Sequence, residues 1–134
     1  MASALNAWQA AMYTRLDAQL ATPIYDYVPP GAAFPYVQVG EDTIVLDATK
    51  TDDSVLVQTE IHTWSVAEGA KECKDIMSNI RTALHRQESA LSVTGWSVTH
   101  IDCINEFVYR DSGVDGGDHY YHGVTQFRLK LWAN

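Results

Sequence analysis

Positive charge is what this sequence has least of. Nine Lys and Arg stand against seventeen Asp and Glu, a formal net charge of -8 at pH 7 over 134 residues. A surface of that sign repels a phosphate backbone instead of recruiting it by counterion release, which argues against DNA binding. Cysteine is scarce as well. Cys73 and Cys103 are too few and too far apart for a disulfide framework or a structural zinc site, and both read as small buried apolar residues. No stretch approaches the roughly 18 uninterrupted apolar residues of a membrane span, and the N-terminus lacks the basic-then-apolar pattern of a secretion signal. Synthesis in the cytosol and no membrane partner are therefore expected. Repeats, charge blocks and low-complexity linkers are missing too, which predicts one domain over residues 1–134.

What is present is the composition of a folded domain: 46% hydrophobic residues, with four Trp and seven Tyr. From Ala2 to Leu20, the residues Leu5, Trp8, Ala11, Met12, Leu16 and Leu20 recur every three or four positions and predict an amphipathic helix ending at Thr22-Pro23. A short strand, Ile24 to Val28, runs into the turn Pro29-Pro30-Gly31. Tyr36 to Leu46 and Val55 to Val66 are rich in β-branched residues and pair most simply as a long hairpin. In its second strand Val55, Val57, Thr59, Ile61 and Thr63 share one face, while Gln58, Glu60 and His62 lie on the other between Leu56 and Trp64. One face should pack on helices and the other meet water or a neighbouring subunit.

Ser65 and Glu68 have capping-box spacing ahead of a second helix, whose apolar stripe Ala70, Cys73, Ile76, Met77, Ile80, Ala83 and Leu84 runs to about His85. A short strand around 90–93, a turn at Thr94-Gly95, a strand from Trp96 to Tyr109, a Gly/Asp-rich loop and a last strand from about His122 to Trp132 follow. The fold class expected is α+β in the order α-β-β-β-α-β-β-β: an antiparallel or mixed sheet of about six strands, with two amphipathic helices on one face.

Signs of chemistry are sparse. None of the five histidines makes an HExxH pair, and there is no Gly-x-Ser-x-Gly elbow. The segment Asp111 to His122, with Asp115, Asp118 and His119, gathers carboxylates and imidazoles, but it lacks the spacing of a calcium-binding EF-hand loop and reads as a hairpin loop. No metal or cofactor is expected. His100 and Asp102 share a face of a regular strand and, with Glu106, would line the pocket of a small α+β enzyme or ligand-binding domain. The competing reading is a polar strand face. Tyr25, Tyr27, Phe34 and Tyr36 gather around the proline turn, either closing one end of the core or anchoring a subunit contact. Between Glu41 and Asp53 stand five carboxylates, Glu41, Asp42, Asp47, Asp52 and Asp53, against Lys50 alone. That is either a solvated loop or an arm that docks on a partner or lines a channel.

The succession of pieces resembles the phage tail terminator, or tail completion, proteins of long non-contractile tails and of gene transfer agents. It runs through nearly the whole chain. It comprises the opening helix with Leu5, Trp8 and Tyr13-Thr14-Arg15-Leu16; the turn Val28 to Val37 with Gly40-Glu41-Asp42 behind it; and Ile61-His62-Thr63-Trp64-Ser65 with Glu68-Gly69 and Lys74. It ends with Ile80 to His85 and with His122-Gly123-Val124 leading to Phe127-Arg128. The resemblance implies a structural, non-enzymatic virion protein. It would form a homo-oligomeric ring, expected to be a hexamer, at the head-proximal end of the tail tube. There it would stop tube growth and join the head connector or stopper, while DNA passes without specific binding. Another ring of the head-tail connector is the alternative. On that reading Asp47, Lys50, Asp52, Asp53, Asp111, Asp115 and Asp118 are candidates for a lumen or partner loop, and Trp64, Trp132, Tyr36 and Phe34 for the subunit interface.

Overall fold

The computed structural model of the chain describes residues 3–47, 49, 50, 52–112 and 119–134. Helix α1 spans Ala4–Gln19, opened by Ser3, whose hydroxyl accepts the Asn6 N–H at 3.2 Å and so satisfies one of the free donors of the first turn. Its apolar stripe turns inward: Trp8, Met12 and Leu16 are fully buried. Strand β1 is only Ile24–Tyr25, shorter than the predicted 24–28, and it pairs parallel with β2, Tyr36–Leu46. That pairing makes the sheet mixed. Strand β3, Ser54–Ser65, runs antiparallel to β2, as the hairpin pattern predicts.

The capping box expected at Ser65 and Glu68 does not form. Helix α2 spans Lys71–Leu84, with Ala70 at its N-cap and no side-chain cap. Ser65 instead accepts the Ala67 N–H at 3.2 Å and donates to the Glu72 carboxylate at 2.7 Å, so its hydroxyl is used in the turn before the helix. The expected strand around 90–93 is also absent, which leaves five strands among the described residues instead of about six. Residues Glu88–Ala90 form a 3-10 turn, and Val93 makes only a single bridge to Trp96. Arg86 donates its N–H to the Ile101 carbonyl at 2.9 Å, and the Glu88 carboxylate accepts the Ile101 N–H at 3.1 Å. These contacts occupy the outer edge of β4, Trp96–Ser112, at Ile101, beyond the stretch that residues 90–93 would face.

The last strand, β5, is His119–Ala133, and the sheet order is β1-β2-β3-β5-β4. The hairpin of β4 and β5 reaches further than the sequence suggests: Asp111 and His119, expected in a loop, lie on strands, paired with Tyr120 and Ser112 respectively. Both helices cover one face. There α1, α2 and the strands bury Ile61, Ile76, Ile80, Leu84, Phe127, Leu129 and Leu131, each side chain of this size removing about 1.5–3 kcal/mol worth of apolar surface from water. Gly123 shows how closely α2 sits on β5. A Cβ there would lie 2.3 Å from Met77 Sδ and 2.9 Å from Cys73 Sγ. Arg15 ties the two helices together by donating from Nε to the Ala83 carbonyl at 2.9 Å, in the last turn of α2 where carbonyls lack helical partners. Among the described residues no helix is long and apolar enough to cross a membrane.

Candidate functional site

Among the described residues the opposite face of the sheet carries no helix, and its side chains are of a different kind. At the end where β2 begins and β3 finishes, the register sets Tyr36 opposite Trp64, Trp64 opposite His122, and His122 opposite Tyr109. Four strands therefore contribute to one aromatic layer. Trp64 and His122 stack with ring centroids 3.8 Å apart and planes 9° apart, and Tyr109 meets His122 edge-on at 5.0 Å. Phe34 lies between Tyr36, at 5.0 Å, and Tyr120, at 5.8 Å. The edge-on and wider contacts suit the quadrupoles of the rings, while Trp64 and His122 lie nearly face to face. Phe34, Phe107 and Tyr109 remain exposed, so the layer presents apolar area to its surroundings.

Next to it lies a charged cluster created by a bulge. Gln38 pairs with His62, but the register then slips, so that Glu41 and not residue 40 faces Glu60. Gly40 supplies the left-handed backbone this requires, with φ 119°. Without the extra residue Glu41 would point to the helix side. With it, Glu41 and Glu60 stand directly opposite each other, and His62 Nε2 lies 3.0 Å from Glu41 Oε2 and 3.4 Å from Glu60 Oε2. Gln126 donates to the other Glu60 oxygen at 3.0 Å. The second ring nitrogen of His62, Nδ1, is 2.7 Å from His122 Nε2, a separation that needs one proton between them. Burial holds His122 below the ordinary imidazole range, and the His62 imidazole pushes it further the same way. Asp111, Glu41 and Glu60 act against that shift.

The pocket predicted around His100, Asp102 and Glu106 does not assemble. Bulges at Val98/His100 and Cys103/Asn105 break the alternation of β4, so that His100 and Asp102 pair with Lys130 and Arg128 on the open side, while Glu106 pairs with Thr125 on the helix side. Asp102 forms an ion pair with Arg86 and Glu106 with Arg81, each at 3.3 Å. A polar depression of about 690 Å³ borders Arg81, His85, Cys103 and Glu106, without His100 or Asp102. Burial, with the Glu106 carboxylate beside it, pushes the Cys103 thiol up to about 11, which disfavours the nucleophilic thiolate at neutral pH.

The interface candidates separate into two groups. Trp64, Tyr36 and Phe34 belong to the aromatic layer, while Trp132 lies at the far end of the same face under Lys130 Nζ, 4.8 Å from its ring centroid. The acidic candidates also part. Asp47, Lys50, Asp52 and Asp53 occupy the exposed turn between β2 and β3, held by Thr49 N–H to the Asp52 carbonyl at 2.8 Å and by Lys130 paired with Asp47 at 3.1 Å. Asp111 is at the opposite end, and the twelve residues of β3 between those ends span roughly 35 Å. Asp115 and Asp118 lie outside the described residues. The convergence of His62, His122, Glu41 and Glu60 is not apparent from the sequence alone, because it depends on a cross-strand register linking residues 60 positions apart. The one local hint is a glycine in a β-branched run at position 40.

A family model described as "Tail completion protein gp17" matches residues 10–131, and the chain belongs to that family. A search of curated protein sequences gives no significant match. Among solved structures, a chain from the "Virion of native gene transfer agent (GTA) particle" is similar at 21% identity, with a TM-score of 0.77, over 97% of this chain and 99% of that one. A second solved chain is 15% identical, with a TM-score of 0.52 and 96% of each chain covered. Both share the fold.

Proposed function

We propose that this tail completion family member is a non-enzymatic virion protein that closes into a homo-oligomeric ring, a hexamer, on the head-proximal end of a tail tube. The ring stops tube polymerisation and presents the surface on which the head connector or stopper docks. The observation that carries the reading is the family match over residues 10–131. The geometry gives it a physical form. A ring needs a heterologous interface, one patch of a subunit against a different patch of the next. The uncovered sheet face offers such a patch, with Phe34, Tyr36 and Trp64 as its aromatic anchors. The chain acts as one domain, assembled in the bacterial cytoplasm.

The acidic turn with Asp47, Asp52 and Asp53 serves the passage of DNA by repelling it, in keeping with a net charge of -8. Lys50 is the lone cation among them, and Asp111, at the other end of the sheet, faces a different neighbour. Light scattering and negative-stain microscopy of the purified chain, alone and mixed with tail tubes, test the reading. Rings, or monomers that form rings only on tube ends, are expected. A monomer that ignores tube ends contradicts it.

A further inference from the structure

We propose that Glu41, Glu60 and His62 form a binding site for a single divalent transition-metal ion of the zinc class. The three donor atoms lie within 4.8 Å of one another. His62 Nε2 is 3.0 Å from one carboxylate oxygen and 3.4 Å from the other. Zinc bonds of about 2.0–2.1 Å at tetrahedral angles set ligand atoms about 3.3 Å apart, which the two His62 distances already match, while rotation of the exposed Glu41 side chain can set the separation of the two carboxylate oxygens. One imidazole with two carboxylates is a borderline donor set, suited to zinc, cobalt or nickel more than to calcium or magnesium. It leaves the fourth position to water.

Two further features fit an ion better than bare side chains. Like charges directly opposite on neighbouring strands repel, yet Glu41 and Glu60 are set opposite each other by a bulge. Among the described residues the ion-pairing partner of both is His62. The shell behind the ligands is also built. His62 Nδ1 is 2.7 Å from His122 Nε2, and His122 is itself fixed by its stack on Trp64 and only 8% exposed. Gln126 orients the Glu60 carboxylate by donating to its second oxygen at 3.0 Å. With the His62 Nδ1–H donated to His122, the Nε2 lone pair points at two carboxylates, and a cation is what joins them. This is the arrangement in which an outer partner sets the tautomer of a metal-bound imidazole.

The test uses the untagged full chain. Cobalt(II) titration should give the intense visible bands of four-coordinate cobalt at one equivalent, displaced by zinc and left in place by excess magnesium. Glu41→Gln, which changes an exposed side chain, should abolish the bands and weaken zinc binding in calorimetry by more than about 100-fold. His122→Gln should weaken it by about 10–100-fold, as loss of an outer partner does. The proposal is overturned if no four-coordinate bands develop, if Glu41→Gln binds zinc as the unaltered chain does, or if binding disappears in Cys103→Ser instead. A proton shared between His62 and the carboxylates would then account for the geometry.

Discussion

The two faces of the sheet are made from the same strands and follow different rules. On the covered face every second residue of β3 is buried against the helices, and one more atom at Gly123 already collides with Met77. On the open face the intervening residues form a graded surface: aromatic rings at one end, the His62 and Glu41 cluster beside them, and Lys130 with Trp132 at the other. Packing decides the first face, and it has one solution. The second is organised by stacking and by charge, and large parts of it remain exposed. The covered face makes the fold, and the open face leaves Phe107 and Tyr109 exposed.

The largest effect that would separate the faces is a charge in the covered one. Ile80 is fully buried in the α2 stripe, and Ile80→Asp should cost more than about 4 kcal/mol and leave the chain unfolded by circular dichroism. Gly123→Val tests the closeness of α2 to β5. The added atoms must displace Met77, an overpacking expected to cost about 1–3 kcal/mol in denaturant unfolding, with part of it recovered when Met77 is also shortened to Ala. On the open face the order of effects reverses. Phe34→Ser should cost the isolated chain about 1–2 kcal/mol and leave it folded, yet remove ring formation at tube ends in micrographs. The smallest expected effect on folding comes from Asp52→Asn with Asp53→Asn, within about 0.5 kcal/mol. If the turn's charge serves DNA passage, infectivity of particles carrying the pair should fall while soluble expression stays normal; unchanged infectivity would return the turn to a plain solvated loop.

Much of the covered face could be read from the sequence, because burial writes itself as periodicity. The Trp8, Met12, Leu16 stripe and the Cys73 to Leu84 stripe became α1 and α2, and Val55, Val57, Thr59, Ile61 and Thr63 face the helices as their alternation requires. The open face was harder to read, since its key geometry comes from irregularities. Three bulges, one in β2 and two in β4, reverse which side a residue faces, and no local pattern announces them. That is why Glu106, which regular alternation sets beside His100 and Asp102, pairs with Arg81 instead. It is also why His62, Glu41, Glu60 and His122 meet unannounced. The segment around 90–93 resembles a strand in composition. In the fold its start is taken up by the 3-10 turn Glu88–Ala90, and it keeps a single bridge, Val93 to Trp96.

The claim that this chain ends a tail tube is tested most directly by electron microscopy of particles made when its gene is interrupted. Tubes that grow past the normal length and carry no heads are the expected result. Tubes of normal length joined to heads would contradict it.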